Sequence, residues 1–182
     1  MIRVTETTAD LGEMLKTLES VMPLFGEANQ IGVTARPGAP EPLRDAIGWI
    51  PEGALEADYS EITEPFSGTA FERLLRNLPF GYGRSRLMRM PPKSCLSIHA
   101  DPTPRYHYAL ITNPNCYIVA VSGKNGAFHH IPADGHLYQM DAHRTHTAMN
   151  TGKNDRFHLV ICPDDTTRPD DAECVGRRAQ VP

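Results

Sequence analysis

The stretch Cys95-Leu-Ser-Ile-His-Ala-Asp-Pro-Thr-Pro-Arg-Tyr-His-Tyr-Ala-Leu-Ile-Thr112 contains the pattern that decides the fold. Two extended segments, residues 95–99 and 106–112, are separated by Asp-Pro-Thr-Pro, in which two prolines interrupt regular structure. Side chains two residues apart in a strand point to the same face, so His99 and Asp101 are expected to converge. The stretch therefore predicts a short strand that ends in two potential metal ligands.

The same alternation of extended segments and turn residues continues on both sides of this stretch. We identify eight extended segments, at residues 84–90, 95–99, 106–112, 116–121, 127–131, 136–140, 145–150 and 156–162. Eight short strands at nearly regular spacing are typical of a sandwich or barrel, and a double-sheet jelly roll has this number. We therefore predict a mainly β protein with a double-stranded β-helix (a cupin-like jelly roll) and helices on its N-terminal flank.

The N-terminal part has a different pattern. Residues 1–28 are predicted to be helical, with Thr8 or Asp10 as the N-cap, and a second helix is expected over residues 69–78. A short strand is expected at residues 30–34. The Pro- and Gly-rich residues 35–68 are predicted to be irregular, either as a lid or substrate-binding arm or as a surface excursion.

The sequence shows no domain boundary, so one domain is expected over residues 1–182. Its predicted parts are residues 1–80, the helices and loops that brace the core; residues 83–164, the β-helix core; and residues 165–182, a C-terminal tail. The net charge of −4 does not indicate nucleic-acid binding. No apolar run approaches a membrane span of about 20 residues. Four cysteines without CxxC spacing favour reduced thiols, so we expect a cytoplasmic protein without a membrane partner.

A third metal ligand is expected from a late strand. In a jelly roll, early and late strands lie side by side, which places the second segment next to the seventh. His146 lies at the start of the seventh segment. His143 is its competitor, but residues three apart in a strand point to opposite faces, so both cannot bind one ion.

The resulting set has a chemical meaning. Two imidazoles and one carboxylate on one face of an octahedral ion leave three open positions, as in the facial triad of non-haem Fe(II) oxygenases. These positions accept a 2-oxo acid and then dioxygen. Arg156, at the start of the eighth segment and expected beside the seventh, fits the distal carboxylate of 2-oxoglutarate. Duller interpretations are a turn at Asp101 and a surface ion pair at Arg156.

Residues 84–164 resemble the aspartyl/asparaginyl β-hydroxylase-like group of Fe(II)/2-oxoglutarate oxygenases, cupin-superfamily enzymes that include bacterial proline hydroxylases. The matching motifs are His99-Ala-Asp101, Arg105-Tyr-His107 with Leu110 following, His146-Thr-Ala-Met-Asn150 and Arg156-Phe-His-Leu-Val-Ile. The resemblance implies iron ligation by His99, Asp101 and His146, and pairing of Arg156 with 2-oxoglutarate. It also implies that Arg105 and His107 lie near cosubstrate or substrate carboxylates, although both are also consistent with packing.

The expected activity is that of an Fe(II)- and 2-oxoglutarate-dependent dioxygenase. Such an enzyme hydroxylates an unactivated C–H of an amino acid, peptide or related small molecule and releases succinate and CO2. Because a glycine or alanine at position 101 would suggest a halogenase, Asp101 favours hydroxylation. The alternatives are a cupin-type metalloenzyme independent of 2-oxoglutarate and a non-enzymatic cupin-like binding module. A zinc hydrolase is less favoured, since no glutamate follows the histidines as a general base.

Three further residues are candidates for substrate contact: Arg105, Asn150 and Arg89. Asn150 lies four residues after His146 and either meets substrate or ends the strand. Arg89 belongs to a basic group with Arg84, Arg86 and Lys93. This group either receives an acidic substrate or forms a solvated face.

Overall fold

A computed structural model of the chain describes residues 1–164. The predicted tail, residues 165–182, lies outside the described residues. The strands in the described part are β1 (Ile2–Thr8), β2 (Gln30–Gly32), β3 (Thr34–Ala35), β4 (Glu61–Ile62), β5 (Tyr82–Met90), β6 (Ser94–Cys95), β7 (Arg105–Ile111), β8 (Cys116–Ser122), β9 (Asn125–His129), β10 (His136–Met140), β11 (His146–Asn150) and β12 (Arg156–Pro163). The α-helices are α1 (Leu11–Val21), α2 (Pro42–Asp45) and α3 (Ala70–Arg76), and short 3-10 helices cover Met22–Phe25, Glu56–Asp58 and Glu64–Phe66.

The strands form two larger antiparallel sheets and one small ribbon. The six-stranded sheet has the order β1-β10-β7-β12-β5-β2, and the four-stranded sheet has the order β6-β11-β8-β9. Strands β3 and β4 pair separately. All neighbours in the six-stranded sheet are non-consecutive in the chain, and in the four-stranded sheet β8 and β9 form the one consecutive pair. Such crossovers between sheets are the expected topology of a jelly roll. The predicted mainly β fold, a double-stranded β-helix with flanking helices, is confirmed.

The central strand β12 separates two interiors. All eight of its residues are buried, and its side chains alternate between the two faces of the six-stranded sheet. Phe157, Leu159 and Ile161 pack in the same apolar cluster as Met14 and Leu18 of α1. A smaller apolar cluster fills part of the space between the sheets, and its members are Met90, Ala109, Ile118, Ile131, Met140, Ala142 and Ala148. The remainder of that space holds polar side chains.

The two longer helices begin where the sequence predicts. Asp10 is the N-cap of α1, since its Oδ1 accepts a hydrogen bond from the Glu13 backbone N at 2.9 Å. Thr69 caps α3 by accepting from the backbone N of Phe71. Among residues 1–164, no helix has the length and apolar character needed to cross a membrane.

The prediction of helix for residues 1–8 is wrong. They form β1, an edge strand that pairs with β10 in register Ile2↔Met140 and Val4↔Tyr138. β-branched residues favour this conformation, but the pairing strand lies more than 130 residues later, beyond the reach of local sequence periodicity.

The expected position of Arg156 beside the seventh segment is also wrong. β11 and β12 are consecutive in the chain, but they belong to opposite sheets, and β12 pairs with β5 and β7. The turn at residues 151–155 crosses from one sheet to the other. Arg156 and His146 therefore lie on facing sheets, and a cavity between the sheets separates them.

Candidate metal centre

His99 and His146 are held opposite each other by their own backbones. The His99 N donates to the His146 carbonyl at 2.9 Å, and the His146 N donates to the His99 carbonyl at 2.7 Å. The regular strand β6 ends at Cys95, so this pairing is an isolated bridge rather than part of the predicted segment 95–99. The two imidazole rings lie 4.4 Å apart, measured between their centroids.

Hydrogen bonds to backbone carbonyls fix which nitrogen of each ring is free. His99 Nδ1 lies 2.7 Å from the Ser97 carbonyl, and His146 Nδ1 lies 2.8 Å from the Arg144 carbonyl. A carbonyl oxygen only accepts, so each Nδ1 carries the proton and each Nε2 presents a lone pair. Ligating histidines in metal sites are oriented in this way.

Asp101 completes the group. Its backbone N donates to the Ala142 carbonyl at 2.9 Å, which places the residue beside the start of β11. Its Oδ2 lies 3.5 Å from His146 Nε2 and 3.8 Å from His99 Nε2. One ligand atom from each of the three residues lies within 4.8 Å of the others. The structure thus brings together the three residues predicted as ligands, in an arrangement that can hold a metal ion.

Arg105 holds the second oxygen of Asp101. Its Nη2 donates to Asp101 Oδ1 at 2.9 Å and to Glu56 Oε1 at 2.7 Å, while its Nη1 donates to Glu56 Oε2 at 2.9 Å. Both side chains of the Arg105–Glu56 pair are only 5% exposed. The guanidinium predicted as a carboxylate anchor is therefore engaged by two carboxylates of the chain itself, and Asp101 keeps Oδ2 for the space between the histidines.

Sequence analysis missed Glu56. It lies on a 3-10 turn inside the irregular residues 35–68 and also accepts hydrogen bonds from Thr103 and the Cys162 thiol. The pKa of that thiol is raised to about 12, mainly by burial and also by the nearby Glu56. Gly83 permits this arrangement, because a Cβ at that position would lie 2.3 Å from the Glu56 carbonyl oxygen. A glutamate in an irregular loop gives no local signal, in the sequence, of its contact with Arg105, which lies 49 residues away.

A cavity of about 550 Å³ opens between the two sheets beside this group. Trp49, the chain's single tryptophan, lies at the cavity with 96% of its surface exposed. Apolar side chains from both sheets form part of the wall: Met88, Leu96, Ile118, Met140, Ala148 and Val160. The volume is in the range of small-molecule sites.

Arg156 lines this cavity from the facing sheet. Its residue surface is 2% exposed, its Nε is buried without a hydrogen-bond partner in residues 1–164, and no carboxylate of that part lies within ion-pair distance. Burial lowers its pKa to about 10. A buried guanidinium without a partner is costly, so this side chain is suited to an anion that enters the cavity.

His107 lies near Arg156 and the metal-ligand group. It is buried, and desolvation, followed by the positive charges of Arg156 and Arg105, holds its pKa well below the usual value. His158 stacks edge-on against it at 5.7 Å between ring centroids and has a similarly lowered pKa, mainly from burial. Both rings are therefore neutral at pH 7.

Three other residues considered from the sequence do not reach the cavity. His143 is exposed in the turn before β11 and is not part of the ligand group. Arg89 pairs with Asp155 at 2.7 Å outside the cavity. Asn150 is fully buried, and its side chain bonds Met90, Asn154 and Gly152 at the end of β11. Of the two interpretations offered for Asn150, the structure gives it the strand-ending one.

Solved structures with a similar fold come from several bacteria. AviO1 from Streptomyces viridochromogenes Tue57 has a TM-score of 0.54 and 14% identity over 92% of this chain and 91% of its own. HygX from Streptomyces hygroscopicus, solved with iron bound, has a TM-score of 0.51 and 11% identity over 89% and 82%. An oxidoreductase of the 2OG-Fe(II) oxygenase family from Burkholderia pseudomallei matches at 17% identity, a TM-score of 0.39 and 53% of each chain. The likeness to the two Streptomyces structures concerns the fold alone.

The sequence comparison is more specific. No curated protein matches the chain. A family model described as aspartyl/asparaginyl beta-hydroxylase matches residues 70–166, which is more than half of the 182 residues. The matched region contains the whole ligand group together with Arg156. The chain belongs to the aspartyl/asparaginyl β-hydroxylase family.

Proposed function

We propose that the chain is an Fe(II)- and 2-oxoglutarate-dependent oxygenase that hydroxylates an unactivated C–H of an amino acid, peptide or related small molecule. We further propose that it acts as one domain, with the ligand group and Arg156 as its site. The observation that carries the proposal is the buried Arg156, which has no partner among residues 1–164 and lies on the sheet that faces the ligand group across the cavity.

The donor set fits Fe(II). His99 Nε2, His146 Nε2 and Asp101 Oδ2 are two neutral nitrogens and one carboxylate oxygen, the set used by non-haem Fe(II) oxygenases. The Arg105 hydrogen bond to Oδ1 favours binding through one oxygen of Asp101, which leaves the ion open positions. When bound, Fe(II) would supply the redox chemistry by which dioxygen oxidises both a 2-oxo acid and a C–H bond.

Arg156 fits the cosubstrate. A planar guanidinium pairs with a carboxylate through two parallel hydrogen bonds, and a 2-oxo diacid has a distal carboxylate for this purpose. The neutral His107 nearby adds no charge that would need a further counter-ion. In the overall reaction, one oxygen atom enters the substrate C–H bond as a hydroxyl. The other enters succinate, and CO2 is released.

Anaerobic titration tests this proposal. Adding 2-oxoglutarate to the Fe(II)-loaded protein is expected to give a weak visible charge-transfer band. Arg156→Gln should raise the 2-oxoglutarate concentration needed by about 10- to 100-fold, the loss of a charge-assisted pair of about 1.5–3 kcal/mol. Its Fe(II) affinity should stay close to the wild-type value, because Arg156 is not a ligand. Arg144→Gln, an exposed arginine outside the cavity, is the matched control.

The ligand assignment is tested by a pair of histidine variants. His146→Ala should lose Fe(II) binding, whereas His143→Ala should keep it, because His143 is exposed outside the ligand group. The reverse result would show that His143, and not His146, is the ligand. A folded, iron-loaded protein that gives no band with 2-oxoglutarate would instead support a cupin-type enzyme independent of this cosubstrate.

A further inference from the structure

The cavity wall carries more arginines than are needed to pair with its carboxylates and with the proposed cosubstrate. Four arginines line it, and the two carboxylates at its wall are Glu56 and Asp101. Both carboxylates pair with Arg105. The other three arginines, Arg84, Arg86 and Arg156, have no carboxylate partner in the described part of the chain. Arg156 is the proposed anchor of 2-oxoglutarate, which leaves two arginines on β5, Arg84 and Arg86.

The β5 cations are separated from Arg156 by the register of the sheet. Arg156 lies opposite Met90, whereas Arg86 lies opposite Val160. Arg86 is four residues from Met90 along β5, a distance of about 13 Å at 3.3 Å per residue. On the other side of β12, Val160 lies opposite His107. The backbone of Arg86 is therefore about 13 Å along the sheet from the position opposite the proposed cosubstrate anchor.

One edge of the Arg86 guanidinium, formed by Nε and Nη2, has no hydrogen-bond partner in residues 1–164. Its Nη1 donates to Gln30 Oε1 at 3.1 Å, and within residues 1–164 this is its one side-chain hydrogen bond. Its Nε is buried without a partner. Because Gln30 engages Nη1, the Nε and Nη2 groups remain side by side without a hydrogen-bond partner in residues 1–164. This is the geometry that accepts both oxygens of a carboxylate.

Arg84 increases the field at the same place without competing for the ligand. Its Nε donates to the Ala46 carbonyl at 2.8 Å, and its Nη2 donates to the Gly48 carbonyl. These bonds hold the loop that precedes Trp49. Burial and the charge of Arg86 lower the pKa of Arg84 to about 10. Two neighbouring cations on one strand face, neither with an ion-pair partner in residues 1–164, make the position favourable for an anion.

We propose that Arg86 binds a carboxylate of the substrate, so that the substrate is a small carboxylic acid held between β5 and Trp49. The inference rests on the proposed oxygenase function and narrows its substrate class. A carboxylate fits better than a phosphate dianion, because Arg86 offers one free bidentate edge and the hydrogen bonds of Arg84 are largely committed to the loop. The same edge would also fit a carboxylate of 2-oxoglutarate, so the test must separate these two sources.

Trp49 provides the signal for a binding experiment. It is the one tryptophan in the sequence, it is exposed, and it lines the cavity. The Zn(II)-loaded protein, which is redox-inert, is first saturated with 2-oxoglutarate while its fluorescence is followed. It is then titrated with free amino acids and, in parallel, with the carboxamide of each. Wild type, Arg86→Gln, Arg86→Lys, Arg156→Gln and Arg89→Gln are compared.

We expect at least one acid to change Trp49 fluorescence at concentrations 10-fold or more below its carboxamide. Arg86→Gln should remove this preference, and Arg86→Lys, which keeps the charge but not the planar fork, should retain part of it. Arg89→Gln removes the same charge from the same strand outside the cavity and should behave as wild type. The 2-oxoglutarate affinity should fall in Arg156→Gln and be retained in Arg86→Gln.

Three results would overturn the inference. The first is that acids and carboxamides change Trp49 fluorescence equally or not at all. The second is that the acid preference survives in Arg86→Gln. The third is that 2-oxoglutarate binding is lost in Arg86→Gln and retained in Arg156→Gln. The last result would make Arg86 the cosubstrate anchor. If 2-oxoglutarate bound to none of the proteins but an acid preference still depended on Arg86, the oxygenase proposal would fail and the carboxylate subsite would stand.

Discussion

Arg105 connects the candidate metal ligands to the long N-terminal loop. One edge of its guanidinium binds Glu56 through two oxygens, and Nη2 also reaches Asp101. Removing one member of a buried ion pair leaves an uncompensated charge. Here that charge would lie next to the ligand carboxylate, where it would oppose a divalent cation. We therefore expect Glu56 to influence metal binding through Arg105.

Glu56→Gln is expected to lower Co(II) affinity by about 10- to 100-fold, as for other residues that orient a metal ligand. It keeps the shape of the side chain and removes its charge. Co(II) absorption in the visible range reports both the affinity and any change in ligand geometry. Glu61→Gln, an exposed glutamate of the same segment, is the matched control. Unchanged Co(II) affinity and spectrum in a folded Glu56→Gln protein would limit Glu56 to packing.

At this scale, the sequence predicted which three residues lie together as candidate ligands, but not the residues that position them. His99 and Asp101 are two apart, and that spacing alone suggests convergence. The contact of Glu56 with Arg105 spans 49 residues and depends on a loop with no periodicity. The unpaired state of Arg156 is equally invisible in the sequence, since it depends on what the surrounding strands do not provide.

At the scale of elements, seven of the eight predicted segments correspond to strands, because breakers and alternation are local features, whereas in the segment 95–99 the regular strand ends at Cys95 and His99 forms an isolated bridge. Their partners are not local. Asn150 illustrates how the sheets are joined: its Nδ2 donates to the Met90 and Asn154 carbonyls, and its Oδ1 accepts from the Gly152 N at 3.1 Å. It ties the end of β11 to β5 in the other sheet and shapes the turn that leads to Arg156.

Asn150→Ala is expected to lower the free energy of unfolding by about 3 kcal/mol, because several buried groups lose their partners at once. Urea denaturation measures this change, and Asn125→Ala on the exposed end of β9 should stay within about 0.5 kcal/mol of wild type. A folded Asn150→Ala protein of normal stability that no longer responds to any acid at Trp49 would return Asn150 to the substrate role considered from the sequence.

At the scale of the whole molecule, charge is unevenly distributed. The chain has a net charge of −4, yet four arginines surround one cavity. The buried histidines next to them cannot share that charge: burial, followed by the charge of Arg156, lowers the pKa of His107 and of His158 well below the usual value. In the unfolded chain both take up a proton near pH 6.5. The native state therefore binds fewer protons than the unfolded state at mildly acidic pH.

This difference predicts that stability falls as pH decreases from about 6.5 to 5. With two protons bound only by the unfolded state, His107 and His158 together lower the free energy of unfolding by at most about 2.7 kcal/mol per pH unit. Neither ring nitrogen of His158 has a hydrogen-bond partner in residues 1–164. His158→Leu therefore leaves no group of that part unpaired and should reduce this slope by up to about 1.4 kcal/mol per pH unit. Urea denaturation of the metal-free protein at several pH values measures the slope, and the exposed-site variant His143→Ala should retain the wild-type value. Equal slopes in His158→Leu and wild type would mean that His158 takes up a proton in the native state as readily as in the unfolded state. A negatively charged group of the chain would then have to compensate the positive charge of Arg156.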